Sequence, residues 1–384
     1  MKIKSLFVTF SVFFFIAASC SKDENLAQKS DVGIVKGKLL VKNGSKPVGG
    51  ALVFVLDDEN KLHFTYTLAN GDYNLKVPIG NRILQFQTGN GSNFRTTIPI
   101  TVARNQTITV DNSLSRLNQV ANMAYVDGDF DEIQDIVVGL GYSITQITNS
   151  DLANYLTISQ YDILFLNCGA KQTSSNDAII DANLAQFVTN GGSLYASDYA
   201  VAYLTGGSVN SQNCGEAGGF IPDSKLCTKN NGTATTINGA QVSNSSLAAA
   251  LGFTSLNIQY NIGLWDKIFS YDAAYWEVMI SDPSSNQPLM IKTTNFTSGI
   301  VSTPVGGNVN DGLVTICHTD ESANLITITI DDSDLPAHQQ HGDSLGSCNS
   351  TNNSGTIYYT TFHNHTNGNI GNAGLILEYV ILNL

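Results

Sequence analysis

The sequence predicts a multi-domain protein in which an all-β sandwich is followed by an α/β domain with a doubly wound sheet. Residues 32–115 alternate short β-rich runs with turn dipeptides at spacings near ten residues, a rhythm typical of a sandwich. Residues 116–384 alternate short apolar runs with helical patterns, which is typical of a parallel sheet covered on both faces. Cysteine-framed stretches at 206–232 and 307–354 interrupt the second pattern and are predicted to be insertions.

The composition is that of a folded chain that does not coat nucleic acid. Of 384 residues, 42% are hydrophobic and 13% are charged, whereas a disordered chain is poorer in apolar residues and richer in charge. The length fits two or three domains at about 100–200 residues each. The net charge of −13 excludes nucleic acid as a partner, because neutralising phosphates requires clustered Lys and Arg.

The N-terminus carries the features of a lipoprotein signal peptide over residues 1–19. Lys2 and Lys4 precede an apolar run from Leu6 to Ile16, and small residues then lead to Cys20. The placement of Cys20 resembles the lipobox of bacterial lipoproteins, which implies lipid attachment to this cysteine. The apolar run is shorter than the ~18 residues that span a membrane. Ordinary secretion with an incidental cysteine is the alternative.

Residues 20–31 are polar and are predicted to form a flexible tether. The run Ser21-Lys22-Asp23-Glu24-Asn25 resembles the short signal that directs lipoproteins of the Bacteroidetes to the outer face of the outer membrane. This resemblance implies an outer-membrane lipoprotein that faces the cell exterior and has the membrane as a partner through its lipid anchor. A plain solvated linker is the alternative.

The β-sandwich carries the motifs of a known family. Its strands are expected at 34–41, 51–56, 73–77, 82–87, 96–102 and 107–110. The whole segment resembles the carboxypeptidase regulatory-like domain, through Gly44-x-x-Pro47-Val48-x-Gly50-Ala51 and Asn70-Gly71-x-Tyr73-x-Leu75-x-Val77-Pro78-x-Gly80. The resemblance implies a transthyretin-like fold that acts as a spacer rather than as a catalyst.

The α/β domain shows a regular alternation of elements. Strands are expected at 120–126, 142–148, 161–166, 193–197, 289–292, 299–304 and 355–362, and helices at 130–140, 179–188, 199–204 and 373–384. This order resembles the flavodoxin-like fold of the class I glutamine amidotransferase-like family. In that family a nucleophile elbow follows one strand, and the motif Phe-His-Pro-Glu ends a later one.

Both functional motifs of that family have counterparts here, with departures. The elbow falls at Leu194–Tyr199, where Ser197 or Asp198 stands in place of the family's cysteine. Phe362-His363-Asn364-His365 resembles the second motif, which implies His363 as a catalytic base. Because His365 replaces the acidic member, the carboxylate that would orient the base is missing.

Two features beside the predicted sheet edge have ordinary structural interpretations. Cys168 follows the strand at 161–166, at the edge where open α/β sheets bind ligands. It is interpreted as a buried apolar residue, with a reactive thiol as the alternative. Asp127–Glu132 is interpreted as acidic capping of the next helix rather than as a calcium loop, because the EF-hand spacing is absent.

The cysteines after Cys20 are expected to pair, because compartments outside the cytosol favour disulfides. Five remain, so one must stay free. The most economical assignment pairs Cys214 with Cys227 and Cys317 with Cys348, and leaves Cys168 free. Each closed loop is expected to stabilise the fold by on the order of 3 kcal/mol.

The second insertion concentrates half of the histidines of the chain. His318, His338 and His341 accompany Asp343, and a helical turn places His338 and His341 on one face. The stretch resembles a short module repeated in secreted proteins of this bacterial group. Zinc or another divalent transition metal accepts such ligands. The alternative is a set of histidines that hold the disulfide-closed loop by hydrogen bonds.

These features predict a lipid-anchored cell-surface protein that binds a glycan or another extracellular ligand, such as a protein, without catalysis. Tyr199, Trp265 and Trp276 offer aromatic surface, with core packing as their other use. The alternative is a hydrolase in which Ser197 or Asp198 acts with His363, assisted by a metal at the inserted histidines. A purely structural surface protein is the third hypothesis.

Overall fold

The computed structural model describes residues 31–169, 177–206, 212–213, 219–222, 225–261, 263–296, 313–320, 324–340, 342–345, 348, 354–365 and 371–384. The predicted signal peptide, Cys20, Cys214, His341 and the strand expected at 299–304 lie outside these residues. Within the described part of the chain, no helix is both long and apolar enough to cross a membrane.

The first part of the chain forms two sheets that face each other. Its strands are β1 (Val32–Lys38), β2 (Leu52–Leu56), β3 (Leu62–Tyr66), β4 (Asp72–Pro78), β5 (Gly80–Thr88), β6 (Phe94–Val102), β7 (Thr107–Thr109) and β8 (Asn118–Gln119). One sheet has the order β4-β1-β7 and the other β3-β2-β5-β6-β8. The short strand β8 pairs with β6 beyond residue 115, so the second of these sheets continues past the predicted boundary.

The alternation that predicts a half-buried strand has a direct structural counterpart in β4. Tyr73, Leu75 and Val77 are buried, whereas Asn74 and Lys76 between them are exposed. Successive side chains of a strand point to opposite faces, so the three apolar residues enter the core between the two sheets.

A large mixed sheet organises the second part. Its strands are β9 (Met123–Val126), β10 (Thr145–Ile147), β11 (Ile163–Leu166), β12 (Ser193–Ser197), β15 (Thr235–Val242), β16 (Ser255–Tyr260), β18 (Glu277–Ser281), β19 (Pro288–Thr293) and β23 (Ile357–Thr360). Their order is β10-β9-β11-β12-β23-β19-β18-β15-β16. The strands from β10 to β23 are parallel, and those from β19 to β16 pair antiparallel.

The expectation of a parallel sheet is therefore correct for only one half of this sheet. Burial explains the error at β19, the strand expected at 289–292, because it is covered so fully that it lacks the polar alternation of a half-exposed antiparallel strand. Leu289, Met290 and Ile291 are all at most 1% exposed. An apolar run of this kind does not reveal the direction of its neighbour.

Helices cover both faces of the mixed sheet. They are α1 (Ile133–Gly139), α2 (Tyr155–Ile158), α3 (Asp177–Thr189), α4 (Val201–Thr205), α5 (Ser245–Leu251) and α7 (Ala373–Asn383). Helices α1, α5 and α7 share one hydrophobic cluster with the β-sandwich, and α3 and α4 lie in a separate cluster. Successive residues of β11 lie on opposite faces of the sheet, with Phe165 in the first cluster and Leu164 in the second.

The two predicted insertions form small sheets of their own. The first contributes β13 (Gln212–Asn213) and β14 (Leu226–Asn230), which join β17 (Asp266–Tyr271). The second contributes β20 (Leu313–Thr319), β21 (Leu325–Asp331), α6 (Leu335–Gln340) and β22 (Ser344–Leu345), in the order β21-β20-β22. We call residues 313–348 of this second unit the histidine module.

The histidine module packs against the β-sandwich. Ile316, Ile328 and Ile330 form a hydrophobic cluster with Leu52 and Phe54 of β2. Cys317 and Cys348 form the expected disulfide. Cys227 is also disulfide-bonded, and its expected partner Cys214 lies outside the described residues. Cys168 is a free, buried cysteine, as the sequence predicted.

Candidate functional site

Four polar side chains meet beyond the carboxyl ends of the parallel strands. Asp131 lies on the loop after β9, Cys168 follows β11, Asp198 follows β12, and His363 follows β23. All four are buried, with exposed fractions between 0% and 5%. The chain order of the strands reverses between β9 and β11, and open α/β sheets bind ligands at such a reversal.

Asp198 occupies the turn between β12 and the following helix. Its φ is +43°, a left-handed conformation that non-glycine residues seldom adopt and that costs about 1–2 kcal/mol. Backbone strain of this kind clusters at functional sites. The Oδ1 atom of Asp198 accepts a hydrogen bond from the backbone N–H of Asp266 at 2.7 Å, which fixes the carboxyl group.

The other carboxyl oxygen of Asp198 faces two potential ligands for a cation. Cys168 Sγ lies 3.6 Å from Asp198 Oδ2 and donates to it, and His363 Nδ1 lies 3.5 Å from the same oxygen. Burial, followed by the proximity of His365, lowers the pKa of His363 to about 3. The imidazole is therefore neutral, and its approach to Asp198 is not an ion pair.

Burial also disfavours the charged forms of Asp198 and Cys168. Burial raises the pKa of Asp198 well above its ordinary value, and burial together with the nearby Asp198 carboxyl does the same for the Cys168 thiol. A thiol must ionise to act as a nucleophile, and here the neighbouring imidazole offers no positive charge to favour the thiolate.

The hydrolase hypothesis pairs Ser197 with His363, but the Ser197 side chain contacts Asp131 instead. Ser197 is fully buried and its hydroxyl donates to Oδ2 of Asp131. Asp131 Oδ1 accepts the backbone N–H of Asn364 at 3.1 Å, so this carboxyl also anchors the loop that carries His363. Burial raises the pKa of Asp131 to about 7, despite the hydrogen bond from Ser197.

The interpretation of Asp127–Glu132 as a helix cap needs correction at Asp131. Helix α1 begins at Ile133, and its N-cap residue Glu132 makes no side-chain capping hydrogen bond. Asp131 instead reaches across the sheet edge to Ser197 and Asn364. Hydrogen bonds between residues this far apart in the chain leave no local signal in the sequence.

A small cavity opens above Asp198 and His363. Its volume is about 30 Å³, enough for an ion and a water molecule or two but not for a sugar ring. The lining combines the polar cluster with aromatic and apolar residues: Phe130, Cys168, Asp198, Tyr199, Tyr260, Asn261, Gly263, Leu264, Trp265, Phe362, His363 and His365. Phe130 and Leu264 are 37% and 55% exposed, so both present apolar surface to solvent.

The three aromatic residues considered for ligand contact have different positions. Tyr199 makes an edge-to-face contact with Phe130 at the cavity, with ring centroids 5.9 Å apart. Trp265 also lines the cavity but is 5% exposed and stacks on Tyr260. Trp276 is buried in the second hydrophobic cluster and serves as core.

The predicted metal ligands of the histidine module also converge. Asp343 Oδ2 lies 2.7 Å from Nδ1 of His318 and 2.8 Å from Nδ1 of His338, and all three side chains are buried. Asp343 Oδ1 accepts the backbone N–H of Thr319. Although burial alone would raise it, the hydrogen bonds from both histidines hold the pKa of Asp343 below its ordinary value.

A larger cavity of about 340 Å³ lies where the β-sandwich, the histidine module and the mixed sheet adjoin. Its walls are mainly neutral and polar, with Gln87, Asn90, Asn244 and Thr327 among the lining residues. Tyr66, which is 51% exposed, also lines it. This cavity has the capacity for a small ligand that the cavity above Asp198 lacks.

Comparisons with known proteins assign no family to the chain. No family model and no curated protein matches it. Eight chains of solved structures are similar to it. Among them, a protein of Bacteroides uniformis provisionally named thua-like aligns over 68% of this chain and 89% of its own length, with 12% identity and a TM-score of 0.32.

Two further alignments are shorter. The N-terminal domain of mmIFT52 covers 46% of this chain and 82% of its own, with 9% identity and a TM-score of 0.31. A second Bacteroides uniformis protein, provisionally named carbohydrate binding, covers 24% of this chain and 44% of its own, with 15% identity and a TM-score of 0.19. The chain therefore spans less than half of that protein, and none of the three scores establishes a common fold or ligand.

Proposed function

We propose that this protein binds an extracellular ligand, of the carbohydrate class, at the carboxyl edge of its mixed sheet. The observation that carries the proposal is the cavity above Asp198, where a buried polar floor meets an exposed aromatic and apolar rim. Ligand sites of proteins combine these two features, because apolar contact supplies affinity and a few fixed polar groups supply orientation.

The dimensions of the cavity define how such a ligand is held. Because about 30 Å³ admits only a small polar group, the body of the ligand rests on the rim formed by Phe130, Tyr199 and Leu264. An aromatic face beside polar hydrogen-bonding groups suits a saccharide, whose ring has an apolar face and hydroxyl edges. His365 and Asn261 stand at the same cavity and supply hydrogen-bonding groups.

The experiment is a glycan and polysaccharide binding screen of the purified full chain. We expect Tyr199→Ala and Phe130→Ala to weaken binding of any hit at least tenfold. Tyr66→Ala, at the larger cavity, is the matched control for loss of an exposed aromatic ring and should leave binding unchanged. Binding that depends on Tyr66 and not on Tyr199 would move the site to the larger cavity and refute the proposal.

We also propose that Cys20 carries lipid and places the protein on the outer face of the outer membrane. The signal-peptide features and the polar run after Cys20 support this location. Labelling of cells with a fatty-acid probe should mark the wild-type protein and not Cys20→Ser. External protease should digest the protein on intact cells, and protection of the protein would contradict the exterior location.

One observation favours a second candidate function, a hydrolase that uses Asp198 and His363. Their side chains lie 3.5 Å apart at a strained turn, and catalytic contacts are often long before substrate binds. Ser197 does not share this support, because its hydroxyl is bonded to Asp131. Burial opposes this function, however, because it raises the pKa of Asp198 and lowers that of His363, and a protonated carboxyl is neither a base nor a nucleophile.

A hydrolysis readout on the same glycan plates separates binding from catalysis. Turnover that falls at least a hundredfold in both Asp198→Asn and His363→Gln, with binding retained, would establish the hydrolase. Ser197→Ala is the matched control and should retain full turnover if Asp198 and His363 are the reacting pair. Binding without turnover is the outcome that the leading proposal expects.

A further inference from the structure

We propose that Cys168, Asp198 and His363 form a binding site for a zinc-class transition-metal ion, with one coordination position open to the cavity. The ligands would be Cys168 Sγ, Asp198 Oδ2 and His363 Nδ1. These three residues are a buried group whose ligand atoms all lie within 4.8 Å of one another. The sequence directed attention to the histidine module for metal binding, and it placed no metal at the sheet edge.

The separations within this group are those of ligands around one ion. A four-coordinate zinc holds sulfur at about 2.3 Å and nitrogen or oxygen at about 2.0–2.2 Å, so adjacent ligand atoms stand about 3.3–3.6 Å apart. Sγ and Oδ2 are 3.6 Å apart, and Nδ1 and Oδ2 are 3.5 Å apart. The second distance is too long for a good hydrogen bond.

An unpartnered nitrogen points into the same space. His363 is 5% exposed, and its Nδ1 has no hydrogen-bond partner in the described structure. Its other nitrogen, Nε2, lies 3.1 Å from Nδ1 of His365. If Nε2 donates its proton there, the lone pair of Nδ1 faces Cys168 and Asp198. Metal-bound histidines are held in this way, with the second nitrogen donating to an outer group.

Asp198 is likewise held in place from outside the group. The backbone N–H of Asp266 donates to Oδ1, so Oδ2 remains for the ion. The left-handed turn at Asp198 lies within this ligand group, and backbone strain of this kind clusters at functional sites.

The histidine module differs in its distances. Asp343 Oδ2 stands 2.7 and 2.8 Å from the two histidine nitrogens, which is the length of a hydrogen bond and shorter than the edge of a zinc tetrahedron. In the described arrangement, the same oxygen joins both rings directly. The three module residues, whose ligand atoms also lie within 4.8 Å of one another, are therefore joined by hydrogen bonds in this structure. The ligand atoms at the sheet edge are instead spaced as they would be around one zinc ion.

The ion would leave its fourth position open toward the cavity of about 30 Å³. Zinc sites with three protein ligands and one open position bind water or an oxygen of a ligand. One part of this inference rests on the proposed function, namely that a hydroxyl or carboxylate oxygen of the ligand fills the open position. The ion site itself follows from the three side chains.

The test is metal binding by the purified full chain, without any glycan. After dialysis against chelator, the chain is titrated with Co²⁺, and the thiolate-to-cobalt absorption band is recorded. Zinc is then added as a competitor, and the bound metal per chain is measured by elemental mass spectrometry. We expect one tightly bound equivalent, a thiolate band, and displacement of the cobalt by zinc.

Three variants locate the ion. Cys168→Ser should abolish the band, and His363→Gln should weaken binding at least tenfold, while Asp343→Asn in the histidine module should leave both unchanged. Near-ultraviolet circular dichroism verifies that each variant is folded, and His363→Gln decides the matter if Cys168→Ser does not fold.

Absence of a thiolate band in the folded wild-type protein would overturn the proposal. Metal binding that survives Cys168→Ser and is lost in Asp343→Asn would also overturn it, because the ion would then belong to the module. Neither result depends on the glycan screen, so a failure of the metal site and a failure of the ligand site are distinguishable.

Discussion

Asp198 Oδ2 and His363 Nδ1 stand 3.5 Å apart beyond two neighbouring parallel strands, although 165 residues separate them in the chain. Each side chain is fixed by another group, Asp198 by the Asp266 amide and His363 by His365. The same oxygen of Asp198 also meets the thiol of Cys168. This contact corrects the view of Cys168 as packing alone, because the residue is both fully buried and part of the polar cluster.

The burial of Cys168 predicts its reactivity. The thiol is 0% exposed and its pKa is raised by burial and by Asp198, so thiolate is scarce at neutral pH. We expect iodoacetamide to leave the Cys168 peptide unmodified for hours at pH 7.5 in chelator-treated native protein. The same peptide should be modified within minutes in urea, as mass spectrometry would show. Rapid modification in the native state would contradict the buried position.

The pKa of Asp131 predicts a change of stability with pH. Its folded pKa of about 7 lies above the ordinary value of 3.8, so the folded state holds a proton that the unfolded state has lost. Stability must then fall as pH rises from about 4 to about 7, at up to about 1.4 kcal/mol per unit from this group.

Asp131→Asn isolates this effect. The amide has the same shape and accepts the Asn364 N–H without a charge, so the variant should be less sensitive to pH than the wild type over that range. Urea unfolding at pH 5, 6, 7 and 8 measures both proteins. Parallel stability curves for the two proteins would show that Asp131 does not titrate in this way.

The side chain of Gln87 joins the β-sandwich to the histidine module by hydrogen bonds. Its side-chain amide donates to the carbonyl oxygen of Thr327 at 2.8 Å and accepts the N–H of Thr329 at 3.2 Å, as a neighbouring strand would. Gln87→Ala leaves two backbone groups without these partners, so we expect a loss of about 2 kcal/mol in the free energy of unfolding.

Gln85→Ala is the matched control, because Gln85 lies on the same strand and is half-buried. It should lower the free energy of unfolding by less than about 0.5 kcal/mol in the same urea titration. Equal losses in the two variants would mean that the bridge to the module contributes nothing specific.

Loss of the disulfide between Cys317 and Cys348 should lower the free energy of unfolding more than Gln87→Ala does. The disulfide joins residues 31 positions apart, and the chain-entropy account assigns such a loop about 3–4 kcal/mol. The double variant Cys317→Ala and Cys348→Ala should lose that amount, measured by urea unfolding at pH 7. An unchanged midpoint would indicate that the hydrophobic contacts with β2 hold the module without the covalent link.

Sequence patterns within a short stretch of chain predicted individual strands, helices and a disulfide correctly. The alternation at Tyr73, Leu75 and Val77 predicted a strand with one buried face, and the structure contains it. The terminal helical pattern predicted α7. The pairing of Cys317 with Cys348 followed from compartment and spacing and is confirmed. Each of these features depends on residues close in sequence or on a simple count.

Tertiary structure alone decided the direction of β19 and the composition of the polar cluster. A strand as buried as β19 has the same apolar run whichever way its neighbour points. Strand β16 differs, because Leu256, Ile258 and Tyr260 are buried in alternation and form a readable strand pattern.

The sequence did mark Cys168, Asp198 and His363 as residues that follow strands. Asp198, and not Ser197, meets His363 at the left-handed turn after β12. There Asp198 accepts hydrogen bonds from Asp266 of β17 and Tyr359 of β23, which are far from it in the chain.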